Sequence, residues 1–225
     1  AYGLALAIQE NNDPVFIKKD DWYSDKDRAL TYRYFNSLKN FKYPSIIYEK
    51  NSDSTLTSSI YLTPKERFSL GLDMDISHSN IQNIGMGFGL STGIRNIFKG
   101  TEILNFGIKN TLGASRNSAD TNDRFFNIFE LGGDIKIRFP KIISPFSLEK
   151  LIAKDMDPST QITFGTTLQE NIGLDKQYFG TTFEYEWRTR NNRRFIFKLI
   201  DLEFVNNKNI ENYFNVYRNS YDRLN

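Results

Sequence analysis

The feature that most constrains this chain is a long alternation of apolar and polar residues that begins near position 67. Between positions 68 and 77 every even position is apolar and every odd position is small or acidic. Successive side chains of a β-strand point to opposite faces, so a period of two predicts strands with one apolar and one polar face. Seven such segments cover positions 68–77, 84–95, 104–114, 129–139, 161–168, 179–188 and 194–205. The polar turns between them predict a mainly β, antiparallel, up-and-down architecture.

The length of these segments favours a membrane over water. Several alternate for ten or more residues, whereas strands of soluble proteins typically run ~5–6 residues and a tilted strand crosses a bilayer in ~9–11. The polar positions are rich in Gly, Ser, Thr and Asn, as a crowded hydrated lumen requires. We therefore expect a transmembrane β-barrel, with a soluble two-sheet protein as the alternative. The last segment loses its phase near Asp201, which predicts a bulge or an early strand end.

Seven strands are too few for a closed bacterial barrel, because such barrels have an even number of at least eight. An open edge in hydrocarbon would leave backbone groups unpaired at a cost of several kcal/mol each. We therefore expect this chain to be part of a longer polypeptide, with about seven strands of a partial barrel.

Positions 1–66 predict a small α+β unit, named here the N-terminal unit. Ser24 and Asp27 have the spacing of a helix N-cap. A helical stripe follows, formed by Leu30, Tyr34, Leu38 and Phe41. We expect Pro44 to end the helix, and the segments at 45–49 and 56–62 to form a hairpin.

Composition excludes several functional classes. The chain has no cysteine and a single histidine, His78, so it contains neither a histidine-based triad with a cysteine nucleophile nor a multi-histidine zinc cluster. Lysine and arginine number 29 against 27 acidic residues, so the charge balance does not indicate nucleic-acid binding. We predict no catalytic residues, no cofactor, no metal and no nucleic-acid partner, and place His78 in a solvated turn.

Charged residues recur on the polar positions of the predicted strands. Glu130, Asp134, Glu184 and Glu186 suggest paired carboxylates for glycoside hydrolysis, but bases alternate with them on the same faces. We therefore interpret them as a lumen charge network, which comprises Arg95, Glu130, Asp134, Lys136, Arg138, Glu184, Glu186 and Arg188. Near the strand ends, Phe139, Tyr185 and Trp187 predict an aromatic belt at a membrane interface, with core burial as the alternative.

Several strings in the chain are similar to a known family. They are residues 77–85, residues 93–102 with their Arg-Asn-x-Phe-x-Gly-x-Glu turn, and the short strings Phe-Pro and Ser-Pro-Phe within 139–146. Residues 31–38 and 61–64 are similar to the end of a POTRA domain, and residues 171–177 and 212–218 to a Bacteroidetes branch. In these strings the chain resembles the BamA/TamA superfamily of outer-membrane assembly factors. The resemblance implies the last part of a POTRA domain at 1–66 and the N-terminal portion of a sixteen-stranded barrel at 67–225.

The resemblance also implies a non-enzymatic function, which is the insertion or export of β-barrel and surface proteins at the bacterial outer membrane, with the N-terminal unit in the periplasm. Its partners would be unfolded outer-membrane clients, the lipid bilayer, and periplasmic or lipoprotein accessory subunits. The first barrel strand would be a lateral gate whose free edge pairs with a client strand. The gate candidates are Arg67, Phe68, Ser69, Leu70, Gly71, Leu72, Asp73, Met74 and Asp75. Gly71 is either a weak point of this gate or a steric accommodation.

Two other functions stay open at this stage. A passive transport barrel of the two-partner secretion type also combines POTRA domains with a barrel. A soluble β-rich surface binding module would use the same strands without a membrane.

Overall fold

The computed structural model describes residues 15–78, 84–114, 126–146, 148, 151–170, 175–189 and 191–208. In chain order its elements are α1 (Asp25–Ser37), β1 (Phe41–Lys50), β2 (Leu56–Pro64), β3 (Phe68–Ser77), β4 (Ile84–Arg95), β5 (Ile103–Ala114), β6 (Ile128–Phe139), β7 (Ser159–Glu170), β8 (Asp175–Arg188) and β9 (Arg194–Lys208). A short 3-10 helix, Lys154–Met156, precedes β7. Within the described ranges, no helix is both long and apolar enough to span a membrane.

Strands β3 to β9 form one sheet in which every strand pairs antiparallel with the next one in the chain. This confirms the mainly β, antiparallel prediction and all seven predicted strands. In the described residues, β3 and β9 are the two edges of the sheet and do not pair with each other. Among the described strands the sheet is therefore open and does not close into a barrel.

The register places the predicted apolar positions on one side of this sheet, named the apolar face, and the polar positions on the other, named the polar face. Five of the six pairings contain no register shift. The sixth has one, because Phe183 pairs with Ile200 whereas Glu184 pairs with Lys198. Leu199 is thus the extra residue of a β-bulge, which returns the apolar side chains of β9 to the apolar face. The phase change predicted near Asp201 has this physical cause.

The N-terminal unit forms the predicted helix and hairpin with one difference. Ser24 is the N-cap of α1, and its side-chain oxygen accepts a hydrogen bond from the backbone N–H of Asp27 at 3.2 Å. The helix ends at Ser37, so the expectation that Pro44 stops it is wrong. Pro44 lies inside β1, where the register shifts between Lys42 and Ser45. A proline fits there because a bulge needs no ladder hydrogen bond from that residue.

A small aromatic core holds α1 against β1. Phe35 and Leu38, at the end of the helix, are buried together with Phe41 at the start of β1. The rings of Phe35 and Phe41 meet edge to face, with centroids 5.9 Å apart. Phe41 therefore belongs to the core as a strand residue, not as the fourth member of a helical stripe.

We expect Phe35→Ala to destabilise the N-terminal unit by about 3–5 kcal/mol, the usual cost of a large cavity in a core. Phe35 is 1% exposed, whereas Tyr32 on the same helix is 48% exposed and provides the matched control, Tyr32→Ala. Amide hydrogen exchange across α1 and β1 measures the change. Equal loss of protection in the two variants would contradict this core.

Candidate functional site

The apolar face is exposed along most of the seven strands. Large apolar side chains that are at least 38% exposed occur there at Phe68, Leu70, Leu72, Met74, Ile76, Ile84, Met86, Phe88, Leu90, Ile108, Leu131, Ile135, Phe164, Leu168, Phe179, Phe195, Phe197, Ile200, Leu202 and Phe204. A water-soluble monomer rarely exposes a contiguous apolar patch larger than a few hundred Å². We therefore expect a non-aqueous neighbour to cover this face.

The predicted gate residues form an edge of the sheet. Residues 68–75 lie in β3, which pairs only with β4 among the described strands. Arg67 immediately precedes β3, and its carbonyl accepts a hydrogen bond from the backbone N–H of Arg95 at 2.8 Å. Within the described part of the chain, one side of the β3 backbone is consequently unpaired, which is the arrangement that strand addition requires.

Gly71 is explained by a close neighbour across the strands. A Cβ atom placed on Gly71 would lie 2.5 Å from the side-chain oxygen of Ser91. The next pair on this face has the same relation with the strands exchanged, because a Cβ on Gly93 of β4 would lie 2.7 Å from the side-chain oxygen of Ser69 on β3. Gly71 thus accommodates the packed side chain of Ser91. This contact gives no separate argument that the gate strand is weak at Gly71.

Acidic side chains on β3 occupy space that glycines leave open on β4. A Cβ on Gly87 would collide with the carboxylate of Asp75, and one on Gly89 would lie 3.3 Å from the Cβ of Asp73. The ammonium of Lys109 on β5 lies 3.4 Å from the Asp75 carboxylate, reaching across Gly87 and Gly89. Both side chains are about half exposed, so this ion pair contributes little stability.

At the other end of the polar face, the sheet and the N-terminal unit line an open cavity of about 800 Å³, named the basic cavity. The meander brings the end of β4, β6 and β8 and the beginning of β5, β7 and β9 to this end of the sheet. Five cations of the sheet line it: Arg95, Lys136, Arg138, Arg188 and Arg194. The acid Glu186 lines it as well and binds Arg194 through two hydrogen bonds, of 2.7 and 3.1 Å.

The N-terminal unit contributes three more cations, Arg33, Lys39 and Lys65. Arg33 on α1 donates a hydrogen bond to the carbonyl of Asp155, and its Nε lies 3.0 Å from the carboxylate of Asp157. These two contacts tie α1 to the segment that leads into β7. The basic cavity is therefore formed by parts of the chain more than 100 residues apart.

The same corner shows how burial affects ionisation. Burial raises the pKa of Asp157, and the attraction of Arg33 and Arg188 offsets this only in part. Burial, helped by the negative charge of Asp157, raises the pKa of Tyr34 to about 12. Burial also lowers the pKa of Lys39, which the charge of Arg138 lowers further. A lysine among arginines holds its proton less firmly because like charges oppose the charged form.

The turn at 95–102 connects this corner to the N-terminal unit. The Glu102 carboxylate accepts hydrogen bonds from the backbone N–H groups of Phe98 and Gly100, at 3.3 and 2.9 Å. The side-chain oxygen of Asn96 accepts one from the backbone N–H of Thr101 at 3.1 Å. Asn40, which follows α1, donates its side-chain N–H to the carbonyl of Thr101 at 2.7 Å. The Arg-Asn-x-Phe-x-Gly-x-Glu string is thus a closed turn that docks the N-terminal unit.

The eight residues of the predicted charge network all lie on the polar face, but the structure brings only some of them together. Arg95, Lys136, Arg138, Glu186 and Arg188 line the basic cavity. Glu184 accepts a hydrogen bond at 2.6 Å from Gln161, and Gln161 also lines the basic cavity. Glu130 and Asp134 lie farther along β6 and are not among the lining residues.

Sequence reasoning missed the contributions of Arg33, Lys39, Lys65, Asp157 and Arg194. Arg194 stands at the start of a predicted strand, on the polar side of the pattern, and the period of two was a signal that could have found it. The other four lie outside the alternating segments, and the sequence shows no signal that joins them to the sheet.

Tyr185 does not belong to an aromatic belt. It is 5% exposed, and its hydroxyl donates a hydrogen bond to the carbonyl of Ile143 at 2.8 Å. The connection between β6 and β7 covers it, and Thr160, which accepts a hydrogen bond from the Ile143 N–H, lies beneath the same segment. The alternative of core burial therefore holds for Tyr185. Trp187 stacks on Phe195 with centroids 5.7 Å apart.

His78 directly follows β3 and is exposed. No group of three or more potential metal ligands occurs in the parts of the chain that the structure covers. Comparison with protein-family models gives no match, and a search of curated proteins gives none either.

We expect Asp157→Asn to change how stability depends on pH. Because folding raises the pKa of Asp157 above its ordinary 3.8, the folded chain binds this proton more tightly than the unfolded chain. The resulting stability is fully present below pH 3.8 and is lost as the pH rises through the raised pKa. The unfolding midpoint of the unsubstituted protein minus that of the variant should therefore fall with rising pH.

Asp53→Asn, in the N-terminal unit, provides a control of opposite sign. Hydrogen bonds from Thr55 hold the pKa of Asp53 below 3.8, so its stabilising contribution is present above that value and is lost as the pH falls through the lowered pKa. The corresponding difference in midpoint should rise with pH. A common sign for both variants would contradict the electrostatics described for Asp157.

Proposed function

We propose that this chain is a membrane-spanning part of an outer-membrane assembly or translocation factor, with β3 as the strand that accepts a client strand. The observation that carries the proposal is the exposed apolar face, which extends over seven consecutive antiparallel strands. The strings described above supply the family resemblance to the BamA/TamA superfamily. In this proposal the chain catalyses no covalent chemistry.

The dimensions of the strands support a membrane location. They contain 10 to 15 residues, against ~9–11 for a tilted strand that crosses a bilayer. The polar face carries glycines, hydroxyl groups and ion pairs, as expected where a sheet encloses hydrated space. In such a sheet, lipid would cover the apolar face and keep it from water.

The edge geometry supports strand pairing with a client. The apolar side chains of β3 are 64% to 81% exposed and its backbone is paired on one side only. A client strand that adds to this edge would gain backbone hydrogen bonds without the need for a specific side-chain code. Strand addition therefore suits a factor that serves several clients.

A soluble β-rich binding module is the competing function, and adjacent residues of β3 distinguish the two. Leu72 is on the apolar face and Asp73 on the polar face, and both are exposed. We expect a fluorophore at Leu72→Cys to be quenched by nitroxide lipids, and one at Asp73→Cys to be quenched by aqueous iodide instead. The chain has no cysteine of its own, so each label is unique. Iodide quenching at both positions would favour the soluble module.

Disulfide crosslinking tests the acceptor strand. Leu72→Cys lies on the edge strand β3, and Leu131→Cys lies on the same face of β6, which is paired on both sides. During insertion of an unfolded eight-stranded barrel protein with a single cysteine in a terminal strand, we expect a crosslink to position 72 and not to position 131. Crosslinks of equal yield would refute β3 as the acceptor, and a passive transport barrel predicts no crosslink at either position.

A further inference from the structure

The basic cavity has a large uncompensated charge. Among its described lining residues eight are cationic and two are acidic, which leaves a surplus of six positive charges. Both acids are already engaged, Asp157 with Arg33 and Glu186 with Arg194. The other six cations, Lys39, Lys65, Arg95, Lys136, Arg138 and Arg188, have no described carboxylate within 4.0 Å.

Such an arrangement is costly for the fold unless something negative enters the cavity. Cations held at close range oppose one another, and the low-dielectric walls of a cleft focus their field. Burial is the main cause of the lowered pKa of Lys39, and the charges of Arg138, Arg188 and Arg194 lower it further while Glu186 opposes them. The charge of the whole chain is only +2, so the surplus is concentrated at this place.

We propose that the basic cavity binds a small ligand that carries two or more phosphate groups. A phosphate ester bears about 1.5 to 2 negative charges at neutral pH, so two or three of them offset most of the surplus in a small volume. Guanidinium groups carry planar pairs of donors that match phosphate oxygens, and Arg138 and Arg188 place two of them in the cavity. One N–H of Arg138 already donates to the Ser159 hydroxyl at 3.3 Å. One N–H of Arg95 donates to the carbonyl of Glu66 at 2.8 Å, so Arg95 contributes mainly its charge. A volume of about 800 Å³ lies within the usual range of small-ligand pockets.

This proposal goes beyond client assembly and does not depend on it, because it rests on the charge and volume of the cavity alone. A free oligophosphate and the phosphorylated headgroup of a lipid share the relevant chemistry. The cavity borders the N-terminal unit at one end of the strands, where both kinds of molecule have access to a protein in a membrane.

Calorimetric titration of the purified protein with tripolyphosphate tests the proposal. We expect Arg138→Gln and Lys136→Gln each to weaken binding about tenfold, the usual effect of removing one charged hydrogen-bonding partner. The matched control is Lys109→Gln, which removes a positive charge from the same polar face but outside the cavity. Its affinity should stay within twofold of the unsubstituted protein.

Lys39→Asn keeps the test valid if the sheet variants fail to fold. Lys39 lies outside the sheet with φ at 58°, a conformation that asparagine tolerates well. This variant should also bind tripolyphosphate about tenfold more weakly. An equal loss in Lys109→Gln, or no loss in Lys39→Asn, would overturn the assignment.

Further binding measurements identify the source and the chemical class of the anion. Nanodiscs containing phosphatidylinositol bisphosphate, whose headgroup carries two phosphate monoesters, are compared with nanodiscs of phosphatidylcholine alone and report whether lipid phosphates use the same residues. Cavity-dependent binding in either the soluble or the lipid arm supports the proposal and names the source, whereas failure in both overturns it. Citrate or a polyglutamate peptide that binds as tightly as tripolyphosphate would overturn the phosphate class in favour of carboxylates.

Discussion

The architecture depends on the hydrogen-bond register between seven consecutive antiparallel strands. Because side chains alternate along a strand, a slip of one residue in any pairing would move a whole set of apolar side chains to the polar face. Five pairings run without a shift, and the sixth contains the single bulge at Leu199. The segregation of the two faces, and with it the exposed apolar surface and the basic cavity, follows from this register.

Glycines on the polar face make the register compatible with charged side chains. The carboxylates of Asp75 and Asp134 occupy the space beside Gly87 and Gly107, where a Cβ atom would collide with them. A larger residue at either glycine would displace the acid, and at Gly87 it would also disrupt the ion pair of Asp75 with Lys109. The glycines therefore act through steric room across strands and not through unusual backbone angles, since none of those described has a positive φ.

The strands and their faces were predictable because a period of two is a local property of the sequence. The phase change of β9 was predictable for the same reason, although the position of its extra residue needed the pairing with β8. The course of the chain at Pro44 could not be predicted, because a bulge in β1 depends on its pairing with β2. Likewise Tyr185 is buried by a connection that no local pattern assigns to it, and the cavity joins Arg33 to Asp157 across a long stretch of chain.

The polar face carries its charges unevenly, and this is the least expected property of the fold. Asp73 and Asp75 lie together on the edge strand, whereas cations accumulate at the opposite end of the strands, beside the N-terminal unit. Interspersed charges of both signs would stabilise the sheet better, because each cation would then have a carboxylate neighbour. Local choices that oppose stability are concentrated at functional sites in natural proteins. The cations of the basic cavity therefore fit a site that binds an anion, and the docking of the N-terminal unit through Asn40 and Arg33 keeps them together.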